Sequence, residues 1–177
     1  MVKDCSIRLL KQEELMVIFS WRNHPKIRTY MLNQHEISLD EHQEWYKSAS
    51  VDKTRKLLLV LEKKTPFGFV QLVNITDTGD AEWGFYTSPN APKGSGIKLG
   101  LVALEYFFLE LGLQKIHAQV IVKNHASLRF HKKLGFQQEG IIKHQKSSDD
   151  YELICFVLTR SNWQSMLLIQ EINHASN

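Results

Sequence analysis

A strand-like run, Glu82-Trp83-Gly84-Phe85-Tyr86-Thr87-Ser88-Pro89, gives way to Pro92-Lys93-Gly94-Ser95-Gly96-Ile97 and then to apolar residues at helical spacing as far as Leu111. That order predicts a strand, a glycine turn and a helix. Two glycines one residue apart let backbone N–H groups converge, since no side chain blocks them and positive φ costs little. The helix adds its unpaired N–H groups and the positive end of its dipole, which suits the turn to a diphosphate. Lys93 and Lys98 place positive charge at its rim. The Gly-Lys-Ser/Thr ending of nucleotide-hydrolysing loops is missing, as is the full dinucleotide fingerprint, which argues against ATP and NAD. Taken alone, the same turn is also compatible with an ordinary strand-to-helix loop.

A chain of 177 residues with 43% hydrophobic content is expected to fold as a single domain, 1–177, with a substantial core. The formal net charge of +3 is small and evenly spread, so nucleic acid is not an expected partner. Cys5 and Cys155 have neither metal-ligand nor redox spacing, which predicts reduced thiols, no metal site and a cytoplasmic protein. The first fourteen residues mix acidic and basic side chains, unlike a signal peptide. No apolar run approaches the eighteen residues of a spanning helix, so no membrane association is expected.

Ile7 to Leu10 predicts a first strand and Glu13 to Trp21 a helix with Leu15, Ile18 and Phe19 on one face, broken by Pro25. Ser38-Leu39-Asp40-Glu41 is a capping box that opens a helix through Tyr46. Leu57 to Leu61 and Phe67 to Ile75 read as strands, with turns at Thr65-Pro66 and at Asp77 to Asp80. Ile97, Leu101, Leu104, Phe108 and Leu111 form one helical face to cover a sheet. Lys115 to Val122 and Asp150 to Leu158 are strands, and Trp163 to Ile172 is a C-terminal amphipathic segment. The class is mixed α/β.

The Gly94-Ser95-Gly96 turn, followed by the strand from Lys115 and the block Asn124-His125-Ala126-Ser127-Leu128-Arg129-Phe130-His131-Lys132-Lys133-Leu134-Gly135-Phe136, resembles the GNAT superfamily of acetyl-CoA-dependent N-acetyltransferases. The likeness spans roughly residues 7 to 163. It implies a central mixed sheet in which two parallel strands splay, with acetyl-CoA as co-substrate in the gap. By that resemblance, backbone groups of Trp83, Gly84, Phe85, Tyr86 and Thr87 bind the pantetheine arm and Lys115 to Val122 is the splayed neighbour. Gly94, Ser95, Gly96 and Ile97, with Lys93 and Lys98, take the diphosphate. Asn124 and Ser127 hydrogen-bond the pantetheine region, Phe130 packs beneath it, and Lys133 reaches the adenosine phosphate. Glu82 stands where several members hold a general base, provided burial raises its pKa, or else it is a strand-end carboxylate paired with a lysine. Gln119 cannot accept a proton at neutral pH. His131 replaces the tyrosine that commonly protonates the coenzyme thiolate. Histidine is a plausible acid, though shorter, or a helix residue that only touches the coenzyme.

Trp21-Arg22-Asn23-His24-Pro25 and Ile37 to Trp45, together with Pro92 to Tyr106, resemble the bacterial pseudaminic acid biosynthesis N-acetyltransferases. That likeness implies acetylation of the 4-amino group of a UDP-linked 4-amino-4,6-dideoxy altrosamine derivative, on the way to a sialic-acid-like sugar of flagellin or surface polysaccharide. Arg22 offers a fork of donors for a diphosphate. His42 resembles a substrate contact, with Tyr46 one turn away, Trp45 available for stacking and Asn74 for a sugar hydroxyl. Against these, Arg22 is also placed for a helix-end ion pair and Trp45 for the core. An N-terminal protein acetyltransferase of the ribosomal-protein type and a non-catalytic acyl-CoA-binding module remain alternatives, and a homodimer is left open.

Overall fold

A computed structural model describes residues 2–146 and 149–175. Among them, β1 (Cys5–Leu9), β2 (Lys56–Glu62), β3 (Thr65–Val73), β4 (Asp80–Thr87), β5 (Lys115–Ile121), β6 (Gln137–Lys146) and β7 (Asp149–Thr159) form one sheet in the order β1-β2-β3-β4-β5-β7-β6. Neighbouring strands are antiparallel except β4 and β5. The parallel contact runs only from Asp80↔Lys115 to Glu82↔His117. Beyond it β4 stays with β3 to Thr87 while β5 follows β7 to Ile121, so the two strands splay.

The helices are α1 (Leu15–Asn23), α2 (Pro25–Arg28), α3 (Leu39–Val51), α4 (Ser95–Glu105), α5 (His125–Lys133) and α6 (Arg160–Ala175). On one face α1 and α3 bury Leu15, Ile18 and Ala49 against Leu57, Leu59 and Phe69. On the other, Leu99, Leu104, Phe107, Phe108 and Trp163 pack on Leu58, Val70, Leu72, Ile116 and Phe156. Alternation along the strands produces both cores from the same residues' neighbours.

Several elements differ from expectation. Pro25 restarts a helix, because its fixed φ and missing N–H suit the first turn behind the His24 cap. The Ser38 capping box forms, with Ser38 N donating to Glu41 at 2.6 Å, and α3 continues past Tyr46 to Val51. The β2–β3 turn lies at Lys63 and Lys64, both at positive φ (48° and 69°), and Thr65-Pro66 belong to β3. Phe67 is the extra residue where Val60 pairs Gly68 and Leu61 pairs Pro66. This bulge turns its ring into the larger core. β4 begins at Asp80, two residues before Glu82. The helix through 97–111 widens into a π-turn over Tyr106–Glu110 and buries Leu99, Val102, Ala103 and Phe107 beside Leu104 and Phe108, leaving Ile97 and Leu101 half-exposed. β6 was absent from the pattern altogether.

Candidate active site

Where β4 and β5 part, a cavity of about 490 Å³ opens. Its walls are β4 from Glu82 to Thr87, β5 from Ala118 to Ile121, and Asn124, Ser127, Phe130 and His131. Past Glu82, β4 has no strand on the β5 side among the described residues, so that edge presents backbone N–H and C=O groups to a ligand. Phe130, tilted against Phe85 at 4.7 Å between ring centroids, helps to hold the gap open.

The glycine turn meets this cavity through Gly96. Gly94 caps α4 at φ 94°, a conformation that suits glycine. A Cβ on Gly96 would meet only Phe130 Cε2, at 4.0 Å, so the space above the helix end is open. Ser95 is buried and Ile97 half-buried, and neither side chain lines the cavity. Lys93 and Lys133 are exposed. Lys98 departs from expectation: its Nζ is paired with Glu62 on β2, because its position on α4 faces that strand and not the turn's rim. The Asn124 oxygen is likewise committed, accepting from Ser127 N at 3.0 Å as the cap of α5.

His131 is 2% exposed, in a box of aromatic rings. It stacks on Phe156 at 5.4 Å and meets Trp83, Phe130 and Phe136 edge-on. Burial pulls its pKa down to about 4, against a weaker upward pull from the Ser127 backbone. Its Nδ1–H donates to Ser127 O at 2.8 Å, and a carbonyl can only accept, so Nε2 carries a lone pair and no proton at neutral pH. Nε2 is buried and unpartnered among the described residues. These surroundings are adverse to a thiolate acid. Glu82 is half-buried at the last shared rung of β4 and β5, and burial raises its pKa, with His117 partly opposing.

A second cavity of about 260 Å³ lies under α1 and α3, lined by Arg22, Glu41, His42, Trp45 and Phe69 with Met31, Gln71 and Tyr86. The last three also line the larger cavity, so the two spaces meet there. His42 stacks on Trp45 at 5.1 Å and 19°. Burial holds His42 below its ordinary pKa, with the Leu15 backbone opposing and Arg22 adding to the effect. Arg22 Nη2 donates to Asn33 O at 2.5 Å. Its Nη1 and His42 Nε2 are buried without partners among the described residues. Leaving such groups unpaired costs roughly 1–3 kcal/mol each, more for a charge, unless a ligand satisfies them. The Glu41 carboxylate on the wall is already engaged by Ser38 N and His35.

Two expected contacts fall elsewhere. Tyr46 packs beside the α1–α3 core and lines neither cavity. Asn74 is exposed at φ 55°, beyond the end of β3, because the chain turns away there. Gln71 and the Tyr86 side chain were missed. The signal for Gln71 was available, since it is the polar residue on a strand face otherwise given to Phe69 and Val73.

The model of the GNAT acetyltransferase domain matches residues 5–137. The chain belongs to the GNAT acetyltransferase family. This GNAT enzyme is 31% identical over 153 residues to the acetyltransferase PseH of Campylobacter jejuni, a match covering 86% of this chain and 92% of the relative. It is 28% identical over 144 residues to the spermidine N(1)-acetyltransferase of Vibrio cholerae, covering 79% and 83%. Its fold superposes on a spermidine N-acetyltransferase from Vibrio cholerae, solved in complex with CoA and spermine, with TM-score 0.81 and 24% identity over 91% of this chain and 98% of that one. Like its family, it is an acetyl-CoA-dependent N-acetyltransferase. Among the described residues, no helix is long and apolar enough to cross a membrane, and no three His, Cys, Asp or Glu side chains cluster as metal ligands.

Proposed function

We propose that this GNAT enzyme acetylates the 4-amino group of a UDP-linked 4-amino-4,6-dideoxy sugar of the N-acetyl-altrosamine type, a step of pseudaminic acid biosynthesis that serves flagellin or surface glycosylation. The observation that carries this reading is Arg22 on the wall of the smaller cavity, with its Nη1 buried and unpartnered among the described residues. A desolvated guanidinium favours an anion such as a diphosphate, and the His42–Trp45 pair offers a stacking platform for a base or sugar. The likeness to PseH supports the same choice.

Acetyl-CoA then lies along Trp83 to Thr87, with its diphosphate at the glycine turn, where the N–H groups of Gly94 and Gly96 face it while those of Ser95 and Ile97 already donate to Pro92 O and Gly94 O, and with its pantetheine beside Ser127 and Phe130, while Lys93 and Lys133 supply charge from solvent. The amine lone pair forms the new N–C bond, the C–S bond breaks with its electrons on sulfur, and Glu82 takes the proton that nitrogen loses. His131 packs against the coenzyme, and the thiolate, a weak enough base to depart without an acid, then takes its proton from solvent, since the thiol predominates at neutral pH.

Acetylation of a polyamine is a second reading, favoured by the spermidine acetyltransferase relatives. A polycation would have to sit against Arg22, with the Glu41 carboxylate already engaged. Calorimetric titration of the coenzyme-loaded enzyme with UDP and with spermine separates the two. Binding of UDP that disappears in Arg22→Met supports the sugar nucleotide; binding of spermine alone rejects it.

A further inference from the structure

Gln71 lies at the meeting of the two cavities and has no assigned role. On β3 it stands directly opposite Gly84 of β4. A Cβ on Gly84 would fall 3.3 Å from Gln71 Nε2 and 3.6 Å from its Cγ, so the glutamine side chain lies flat over the glycine. A side chain at position 84 would crowd the carboxamide, which would have to give by a few tenths of an ångström. Along β4, the residues two before and two after Gly84 share its face of the sheet, and these are Glu82 and Tyr86. Glu82 is therefore a diagonal neighbour of Gln71, about 7–8 Å away at Cα and within joint reach of two long side chains. Tyr86 closes the other side, its ring 5.2 Å from that of Phe69. The result is a notch floored by Gly84 and walled by a carboxylate, a carboxamide and a phenol, open to both cavities. The Gln71 carboxamide makes no hydrogen bond among the described residues.

A primary amine that attacks a thioester must direct one lone pair at the carbonyl carbon, and its two N–H bonds then point elsewhere. From this geometry we infer that Gln71 is a positioning residue for the acceptor amine: its Oε1 accepts one N–H while Glu82 faces the other. The amine's lone pair is thereby turned towards the splayed edge of β4, where the acetyl group is to be held. Gln71 exchanges no proton. The inference rests on the assignment of the smaller cavity to the acceptor, and not on which amine occupies it.

The test uses Gln71→Met, which keeps length and removes the carboxamide, and Gly84→Ala, whose methyl displaces that carboxamide from above the strand. Assays run with whichever amine the enzyme acetylates best, so that failure of the nucleotide-sugar proposal leaves this test intact. The expected result for Gln71→Met is a kcat lowered about 2- to 13-fold, the scale of one hydrogen bond made in the reacting geometry, with acetyl-CoA affinity and thermal midpoint unchanged. Gln71→Glu, which retains an oxygen acceptor, recovers part of the loss. The Gln71→Met and Gly84→Ala effects are non-additive when combined, since both remove one contact. A Gln71→Met enzyme with wild-type kcat, or one whose loss is confined to coenzyme affinity, overturns the assignment.

Discussion

Replacing Arg22 by Met separates what this side chain does for the fold from what it does for the acceptor. In the fold, Nη2 holds Asn33 O at 2.5 Å, and losing that bond costs about 0.5–1.5 kcal/mol. The same substitution removes a guanidinium whose pKa burial already lowers, with Tyr86 partly opposing and Arg28 adding to the effect. Its Nη1 has no partner among the described residues. Relief of an unpaired buried donor is worth about 1–3 kcal/mol, so the two contributions roughly cancel. The thermal midpoint of Arg22→Met should stay within about 4 °C of wild type, since 1 kcal/mol corresponds to about 2–4 °C at this size. Function should not be spared. Charge-assisted hydrogen bonds are worth about 1.5–3 kcal/mol, which raises the acceptor KM by about 10- to 150-fold, with acetyl-CoA affinity unchanged. Initial rates with varied acceptor, coenzyme calorimetry and a melting curve provide the three readings. An unchanged acceptor KM, or a collapse of the midpoint, refutes the reasoning and makes Arg22 a structural residue.

Gly96→Asp puts a carboxylate where only Phe130 stands at 4.0 Å, so the fold should persist while acetyl-CoA binding, followed by calorimetry, is abolished; retained affinity moves the diphosphate elsewhere. His131 titrates near 4 in the fold against 6.5 unfolded, so the unfolded chain binds the extra proton between those values. Stability is therefore full above pH 6.5 and falls by about 3 kcal/mol towards pH 4. His131→Phe should lack this part of the acid loss in denaturant titrations and keep kcat near wild type; a hundredfold loss of kcat restores the acid role. Glu82→Gln should lower kcat by about 10²–10⁴, the range for a general base, and the wild-type kcat/KM should fall on the acid side at a pH above the ordinary carboxylate range, because burial raises Glu82. A pH profile indifferent to Glu82→Gln removes it as the base.

Six of the seven strands and the glycine turn were legible because each rests on local chemistry, alternation and a positive-φ glycine, whereas Asn124, expected at the pantetheine, spends its side-chain oxygen on capping α5. The Lys63-Lys64 turn was not legible, since the residue types that favour positive φ are absent there and the turn-forming proline stands two residues on, at Pro66. β6 was overlooked because Gln137 to Lys146 is largely polar with two exposed isoleucines, as expected of a strand at the sheet edge. Lys98 looked like a phosphate ligand by proximity in sequence, while helical phase turned it to Glu62. Tyr86 gains its place only from pairing across β3 and β4, a relation between distant residues that no local pattern records, while Gln71 is marked locally only as the polar residue on an apolar strand face.

The charge of the preferred acceptor distinguishes a sugar nucleotide from a polyamine, and acetyl-CoA turnover followed by thiol release tests that preference directly. With a UDP-4-amino-4,6-dideoxy sugar, spermidine and an N-terminal peptide each varied to saturation, the sugar nucleotide should give the highest kcat/KM, and Arg22→Met should abolish that preference. A higher kcat/KM for spermidine, unaffected by Arg22→Met, would contradict it.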